Sequence, residues 1–323
     1  MANLKPHVIS PADSVDTRVI KLNRNFNDLF SILSKDAKID VAIESAINGP
    51  LKVLAADGSS TIPVSLRGAP RDFGLELARG NIPGMSYVHK FGTAIDFDTV
   101  DNEVDVWDGS NDAAAWAKYV YNYSSTADIT RISSSSAGDT QVIEIQGLDS
   151  NWALTVQNVT LNGQSKVVLG TALRRIFRMK NEGSTDLAGT VFCYVDGAIT
   201  AGVPNSTAGT RAIIRGVNNQ TEMAIYTIPL GKTGYLGSWY ASSAGASKTT
   251  NYRIKMKMRQ AGGVFQLKHK MAWDGGTPYQ HNYHIDEGGL PEKTDIIMTA
   301  QALASGVTQA AISAGFDIIL VDN

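Results

Sequence analysis

"NYRIKMKMRQAGGVFQLKHKMAW", residues 251–273, decides the fold class. Arg253, Lys255, Lys257 and Arg259 alternate with Ile254, Met256 and Met258, and a period of two puts the two sets on opposite faces of a strand. Residues 260–263 read as a turn, after which residues 264–273 return. Pairing Arg259 with Val264 sets Lys255 opposite Lys268 and Arg253 opposite Lys270. The other face then carries Met258/Phe265, Met256/Leu267 and Ile254/His269, so both strands agree on one apolar side. The expectation is a half-buried antiparallel hairpin with six cations outward: Arg253, Lys255, Lys257, Arg259, Lys268 and Lys270.

Like charges directly opposed are unfavourable without counter-charge. Two readings of this face stand. It lies against solvent or a neighbouring acidic strand or subunit, or it is a polyanion site for nucleic acid, a charged glycan or a membrane surface. An acidic counterpart exists in "DFDTVDNEVDVWDGSND", residues 96–112, which holds Asp96, Asp98, Asp101, Glu103, Asp105, Asp108 and Asp112 without a Lys or Arg. Carboxylates are hard ligands for calcium, but the spacing departs from the D-x-D-x-D-G-x5-E loop, so no metal is assigned. The stretch reads as an acidic surface complementary to the hairpin across a subunit boundary.

Outward from the hairpin, short apolar runs alternate with turn residues from "GNIPGMSYVHKFG" to the C-terminal "FDIILVDN". With 30 glycines and abundant Ser, Thr and Asn, this pattern predicts a mainly β fold, an antiparallel jelly-roll-like β-sandwich over residues 85–323. A brief helix at "DAAAWAKYVY" is the alternative to strand there. The 323 residues, 43% apolar and 19% charged with net charge −2, are those of an ordinary globular protein, so any basic surface must be local. Cys193 is the single cysteine, which excludes an intrachain disulfide and a cysteine metal cluster. "MANLKPHVIS" has no apolar signal region and no run approaches 18 apolar residues, so synthesis in the cytoplasm without membrane insertion is expected.

The front of the chain differs. In "SPADSVDTRVIKLNRNFNDLFSILSKD", residues 10–36, Val15, Val19, Leu22, Phe26, Leu29 and Leu33 are spaced 4, 3, 4, 3, 4, a heptad seam on one narrow helix face. Ser10, Pro11 and Asp13 mark its start. Residues 1–36 are thus an arm and heptad helix, and residues 37–84 a connector, with short strands flanking Asp57-Gly58. A seam this short is marginal alone, so it either joins copies held together by their β domains or docks on its own sandwich.

Catalytic patterns are thin. "PLGKTGYLG" lacks the glycine a phosphate loop needs, with Tyr226 in its place, and G-x-S-x-G and H-E-x-x-H do not occur. In "YQHNYHID", Tyr279, His281 and Tyr283 share a strand face while His284 lies opposite, a packing or sugar-facing arrangement rather than a metal pair. His89 and His269 read as satisfied core or edge residues. Trp239, Tyr240, Tyr279 and Tyr283 are the aromatics that could stack on a glycan. No catalytic residue, metal or cofactor is assigned.

The segments "GNIPGMSYVHKFG", "DVWDG", "NVTLNG", "AIYTIPLGKTGYLGSWYASS", "LPEKTDIIMTA" and "SAGFDIILVDN" resemble, in the same order, a family of tailed-bacteriophage virion structural proteins, many from aquatic hosts. The resemblance spans residues 80–323 and consists of strand and turn phrases; residues 1–80 are similar in style to tail-fibre attachment segments. It implies a virion component without enzymatic activity, a homotrimeric fibre or appendage fastened through its N-terminal segment. The implied partners are other copies of itself, other virion proteins (a tail adaptor or nozzle, or the capsid shell) and a host-surface glycan. A capsid decoration or head-fibre protein is the alternative, and a glycan-binding or glycan-degrading module the third reading.

Overall fold

The computed structural model describes residues 53–54, 61–62, 72–97, 103–110, 120–244, 251–274, 278–282, 289–303 and 310–323. The chain divides into two compact units, Met1–Pro70 and Arg71–Asn323. In the first, β1 (Val53–Leu54) pairs antiparallel with β2 (Thr61–Ile62), the two short strands expected around Asp57-Gly58. The heptad seam from Val15 to Leu33 lies outside the described residues, as do Tyr283 and His284.

The second unit opens with α1 (Phe73–Ala78), started by Asp72, whose carboxylate accepts the Leu75 N–H at 2.8 Å. Then follow β3 (Met85–Phe97) and β4 (Val104–Asp105). Next come β5 (Ile129–Ser134), β6 (Val142–Leu148), β7 (Leu154–Thr160), β8 (Val167–Leu173), β9 (Arg175–Asn181) and β10 (Val191–Val195). The small hairpin β11 (Ile199–Thr200) and β12 (Val203–Pro204) precedes β13 (Thr210–Ile214). The remaining strands are β14 (Ile225–Thr227), β15 (Lys232–Ala244), β16 (Asn251–Gln260), β17 (Gln266–Asp274), β18 (Tyr279–Asn282), β19 (Thr294–Ala302) and β20 (Ala310–Asp322).

One sheet runs β18-β15-β20-β3; the other runs β14-β19-β16-β17, with β4 also on β19. From β14 onward every connection changes sheet except the β16–β17 hairpin, and β3 to β4 changes sheet too. Counting β4 and β14 as one strand, this is an eight-stranded jelly roll, as the sequence predicts. The count is justified by β19. It pairs with β14 from Thr227↔Asp295 to Ile225↔Ile297, then with β4 at Thr299↔Asp105 and Ala300↔Val104. At the junction the Met298 N–H donates to Ala224 O at 3.1 Å, and Met298 O accepts from Val106 N at 2.9 Å. Ala224 N also donates to Val106 O at 2.9 Å, and Trp107 bridges Met223. The strand is therefore cut in two, and residues 107–223 leave and return through the cut. A Cβ on Gly92, where β3 crosses this junction, would lie 2.4 Å from Ala224 N and 2.6 Å from Val106 O, so only glycine lets the backbones meet.

The inserted segment is a second sandwich, β13-β10-β5-β8 against β7-β6-β9. Ile132, Ile143, Ile145, Met179, Phe192 and Ile213 fill its core. The jelly-roll core holds Trp239, Ile254, Met256, Met298, Phe316 and Ile318. The two cores interlock: Leu148 and Phe177 of the insert join the jelly-roll core, while Ile225 and Ile297 of the jelly roll join the insert's. This explains "TDIIMTA". Residues 294–300 on β19 are buried throughout, one face against the opposite sheet and the other under the insert, so the run loses its alternation.

The β16–β17 register departs from expectation by two residues away from the turn and by one beside it. Lys255 faces Lys270 and Arg253 faces Ala272, and a bulge beside Met256/Lys257 leaves Lys268 as the extra residue. The hairpin end is longer than predicted because β16 stays paired with β19 to Gln260↔Thr294, and Ala261 N is then tied to Lys293 O at 3.1 Å. Phe265 accordingly leaves Met258 and packs on Arg259 and Tyr123. Ile254, Met256 and Met258 still point inward, with Met271 and His269 opposite the first two, but the odd shift past the bulge turns the end of β17 over: Leu267, expected in the core, pairs with Lys257 and is exposed.

Candidate functional site: the seam between jelly roll and insert

The outward cations of β16 meet carboxylates of their own chain. Glu103, just before β4, receives both Lys255 and Lys257 and the Thr299 hydroxyl. Burial alone would raise its carboxyl, but these three partners hold it below the ordinary value. Arg259 Nε lies 3.1 Å from Asp295 Oδ2, and Arg175 of the insert reaches the same carboxylate at 2.8 and 3.1 Å. The Thr227 hydroxyl donates to it at 2.6 Å, and Asp295 is 0% exposed. The Tyr123 ring packs against both guanidiniums, 5.0 Å from Arg175 and 4.5 Å from Arg259. The expected six-cation outer face is thus corrected. Lys255, Lys257 and Arg259 are answered by carboxylates of their own chain: of the acidic stretch Glu103 takes the two lysines, while the partner of Arg259, Asp295, lies on β19 outside it. Lys268 and Lys270 are exposed, while Arg253 is half-buried.

The other described acids of that stretch hold the neck of the insert. Asp105 accepts the Tyr121 N–H at 2.6 Å, and burial raises its carboxyl to about 7 against the pull of that N–H and of Lys257. Asp108 accepts the Glu222 N–H, sits 3.5 Å from Arg215 Nε, and is raised well above its usual value by burial. The entering and leaving chains of the insert are each fastened by one buried acid.

The outer face of the other sheet carries a second cluster that sequence reasoning missed. Asp317 accepts from the Tyr87 hydroxyl at 2.5 Å, lies 2.7 Å from His89 Nδ1, and accepts from Ser238. Tyr240 OH is 3.3 Å from His89 Nε2, with the rings stacked. A bulge between Leu236 and Ser238 brings Ser238 opposite Asp317. Burial would raise the Asp317 carboxyl, but Ser238, Tyr87 and His89 keep it low. His89 is satisfied, as expected, yet outward; Lys90 takes the inward position. Among the candidate glycan aromatics, Tyr240 does lie on this outer face. Trp239 is 0% exposed in the core, which keeps it from a sugar, and Tyr279 is half-buried with its ring 5.9 Å from that of Trp239. Adjacent strand residues point oppositely, which forbids both Trp239 and Tyr240 from serving one ligand. His281 shares the inward face with Tyr279 and stacks on His269 at 4.7 Å.

Between edge strand β3 and the insert lies a cleft of 320 Å³. Its floor is Lys90, Phe177 and Tyr226, exposed by 7%, 3% and 4%. Tyr87 and Leu154, each about half exposed, stand at its mouth. The Lys90 ammonium donates to the Phe177 carbonyl, and Arg178 Nη2 donates to Gln220 Oε1 at 3.1 Å. Burial first, then Arg178, lowers the Lys90 amine to about 7. The signal in the sequence was Lys90 sharing the parity of Val88 and Ala94 on a strand whose even positions point inward.

The chain matches no protein family and no curated protein. Among solved structures it is similar to the infectious bursal disease virus Gt strain, at 13% identity and TM-score 0.20, covering 77% of this chain and 78% of that one. It is also similar to the VP2 subviral particle of infectious bursal disease virus, at 10% identity and TM-score 0.18, covering 75% and 73%. At these scores the likeness carries no argument about function.

Proposed function

We propose that the protein is a non-enzymatic structural component of a tailed-bacteriophage particle, a trimeric fibre or appendage attached through residues 1–80, with its β unit turned toward the host surface. The observation that carries the reading is the split jelly roll. An entire second sandwich is mounted through the middle of one strand and locked by the buried Arg175–Asp295–Arg259 arrangement, which makes the two sandwiches one stiff block. Stiffness of this kind suits a part that bears load and presents surfaces. The order of strand and turn phrases shared with virion proteins gives the same reading from the sequence side. Where the described acids and histidines gather, they hold backbone, cations, hydroxyls or one another.

The chain shortened to Arg71–Asn323, the natural boundary of the second unit, tests it. It is expected to fold, to be monomeric by light scattering, and to be absent from purified particles assembled in its presence, whereas the full chain is a trimer and incorporates. Normal incorporation of the shortened chain would transfer attachment to the β unit and favour a capsid decoration role. A full chain absent from particles would end the virion reading.

A further inference from the structure

We propose that the cleft between β3 and the insert is a binding site for an acidic monosaccharide unit, its carboxylate held by Lys90 and Arg178 and its ring lying along the apolar wall. The site is independent of where the protein sits in a particle. Lysine is almost never fully buried without an ionic partner, because desolvating an unpaired ammonium is costly. Here a buried lysine has a backbone carbonyl for its partner, with a second cation, Arg178, close enough to repel it. Arg178 in turn is given a neutral amide oxygen, that of Gln220.

The charges around this pair all point the same way. On β3 itself His89 faces Asp317, and on β15 Lys232 is paired with Asp322, so both basic side chains of the mouth are answered. The carboxylate that Lys90 feels is Asp108 at the insert's neck, which is committed to Glu222 N and to Arg215. From β14 and β9, Tyr226 and Phe177 contribute aromatic surface. Among the described residues no Asp or Glu lines the cleft. Two cations without a lining carboxylate, in a pocket walled by Val88, Leu320, Phe177 and Tyr226 with Ser86 and Gln146 as neutral polar groups, make a receptor for an oxyanion carried on a small body. A volume of 320 Å³ lies at the small end of ligand pockets, which fits one sugar ring. A carboxylate matches the geometry of guanidinium plus ammonium, and a pyranose ring matches aromatic and aliphatic walls.

Calorimetric titration of the full chain with sodium D-glucuronate tests the site, with D-glucose and inorganic phosphate as controls. Binding of glucuronate and not glucose is expected at about pH 6. It should weaken roughly tenfold or more by about pH 8.5, because Lys90 loses its proton as the pH rises through about 7. Methyl β-D-glucuronide, blocked at the anomeric position as in a glycan, should bind equally; binding of the free acid alone would overturn a chain-linked source. Lys90→Met and Arg178→Gln should each lower affinity roughly tenfold to a hundredfold, the worth of a hydrogen bond to a charged group. Lys90→Met should also abolish the pH slope. If that variant does not fold, Arg178→Gln and the mouth variant Tyr87→Ala carry the test. No binding of glucuronate, or equal binding of glucose, overturns the proposal; phosphate binding as tightly as glucuronate overturns the sugar ring.

Discussion

Replacing Asp105 with Asn probes the neck of the insert through its pH dependence. The folded chain raises this carboxyl from 3.8 to about 7, chiefly by burial, so the native state holds the proton more tightly than the unfolded state. Below about pH 4 both states are protonated and the group is neutral in its effect. As the pH climbs toward 7 the unfolded chain releases its proton first, and native stability falls until the folded carboxyl has also ionised. At about 1.4 kcal/mol per pH unit, a shift of roughly three units corresponds to about 4 kcal/mol lost by pH 8, to order of magnitude. Asn keeps an oxygen for the Tyr121 N–H but never ionises; its amide protons need partners, which offsets about 1 kcal/mol. The variant should therefore fall about 1 kcal/mol below the wild type near pH 4 and exceed it by about 3 kcal/mol near pH 8. Urea unfolding of both proteins at the two pH values, followed by circular dichroism, reads the difference. Asp108, Glu103 and Asp317 titrate in both proteins and cancel. A stability difference that is the same at both pH values, or a variant weaker at pH 8, would refute the buried-acid account of the neck.

Asp295→Ala removes the shared partner of Arg175 and Arg259 and strands two guanidiniums in the seam, so a loss of about 3–5 kcal/mol in global stability is expected by denaturant titration. An effect under about 1 kcal/mol would mean that the seam is wet and the insert loosely held. Gly92→Ala forces a Cβ into two backbones at the cut strand and should cost about 1–3 kcal/mol, lowering Tm by several degrees. An unchanged Tm would place β3 farther from that junction than the structure has it.

How much of this was legible beforehand depends on the range of the cause. Alternation with period two is a property of neighbours along the chain. It was enough to name residues 251–273 a hairpin, to assign Ile254, Met256 and Met258 to the core, and to recognise a β-sandwich of the jelly-roll kind. The same local rule, applied to Trp239 and Tyr240, would already have separated them to opposite faces. Register was not local. The β16–β17 pairing is set by how far β16 runs along β19 and by the tie from Ala261 to Lys293, residues distant in sequence, so the predicted pairs missed by one or two; the faces of β16 survived, while the turn end of β17 put Leu267 outward. Counter-charges were not local either. That Glu103 answers Lys255 and Lys257, and Asp295 answers Arg259, depends on strands β4 and β19 lying beside β16 or beneath the insert. Neither the cut in the strand at Val106 and Ala224 nor the cleft floored by Lys90 could be read from one dimension. Both arise because residues 107–223 fold as a body that returns to its own point of departure, and a chain's periodicity records which way side chains point, not which distant segment will cover them.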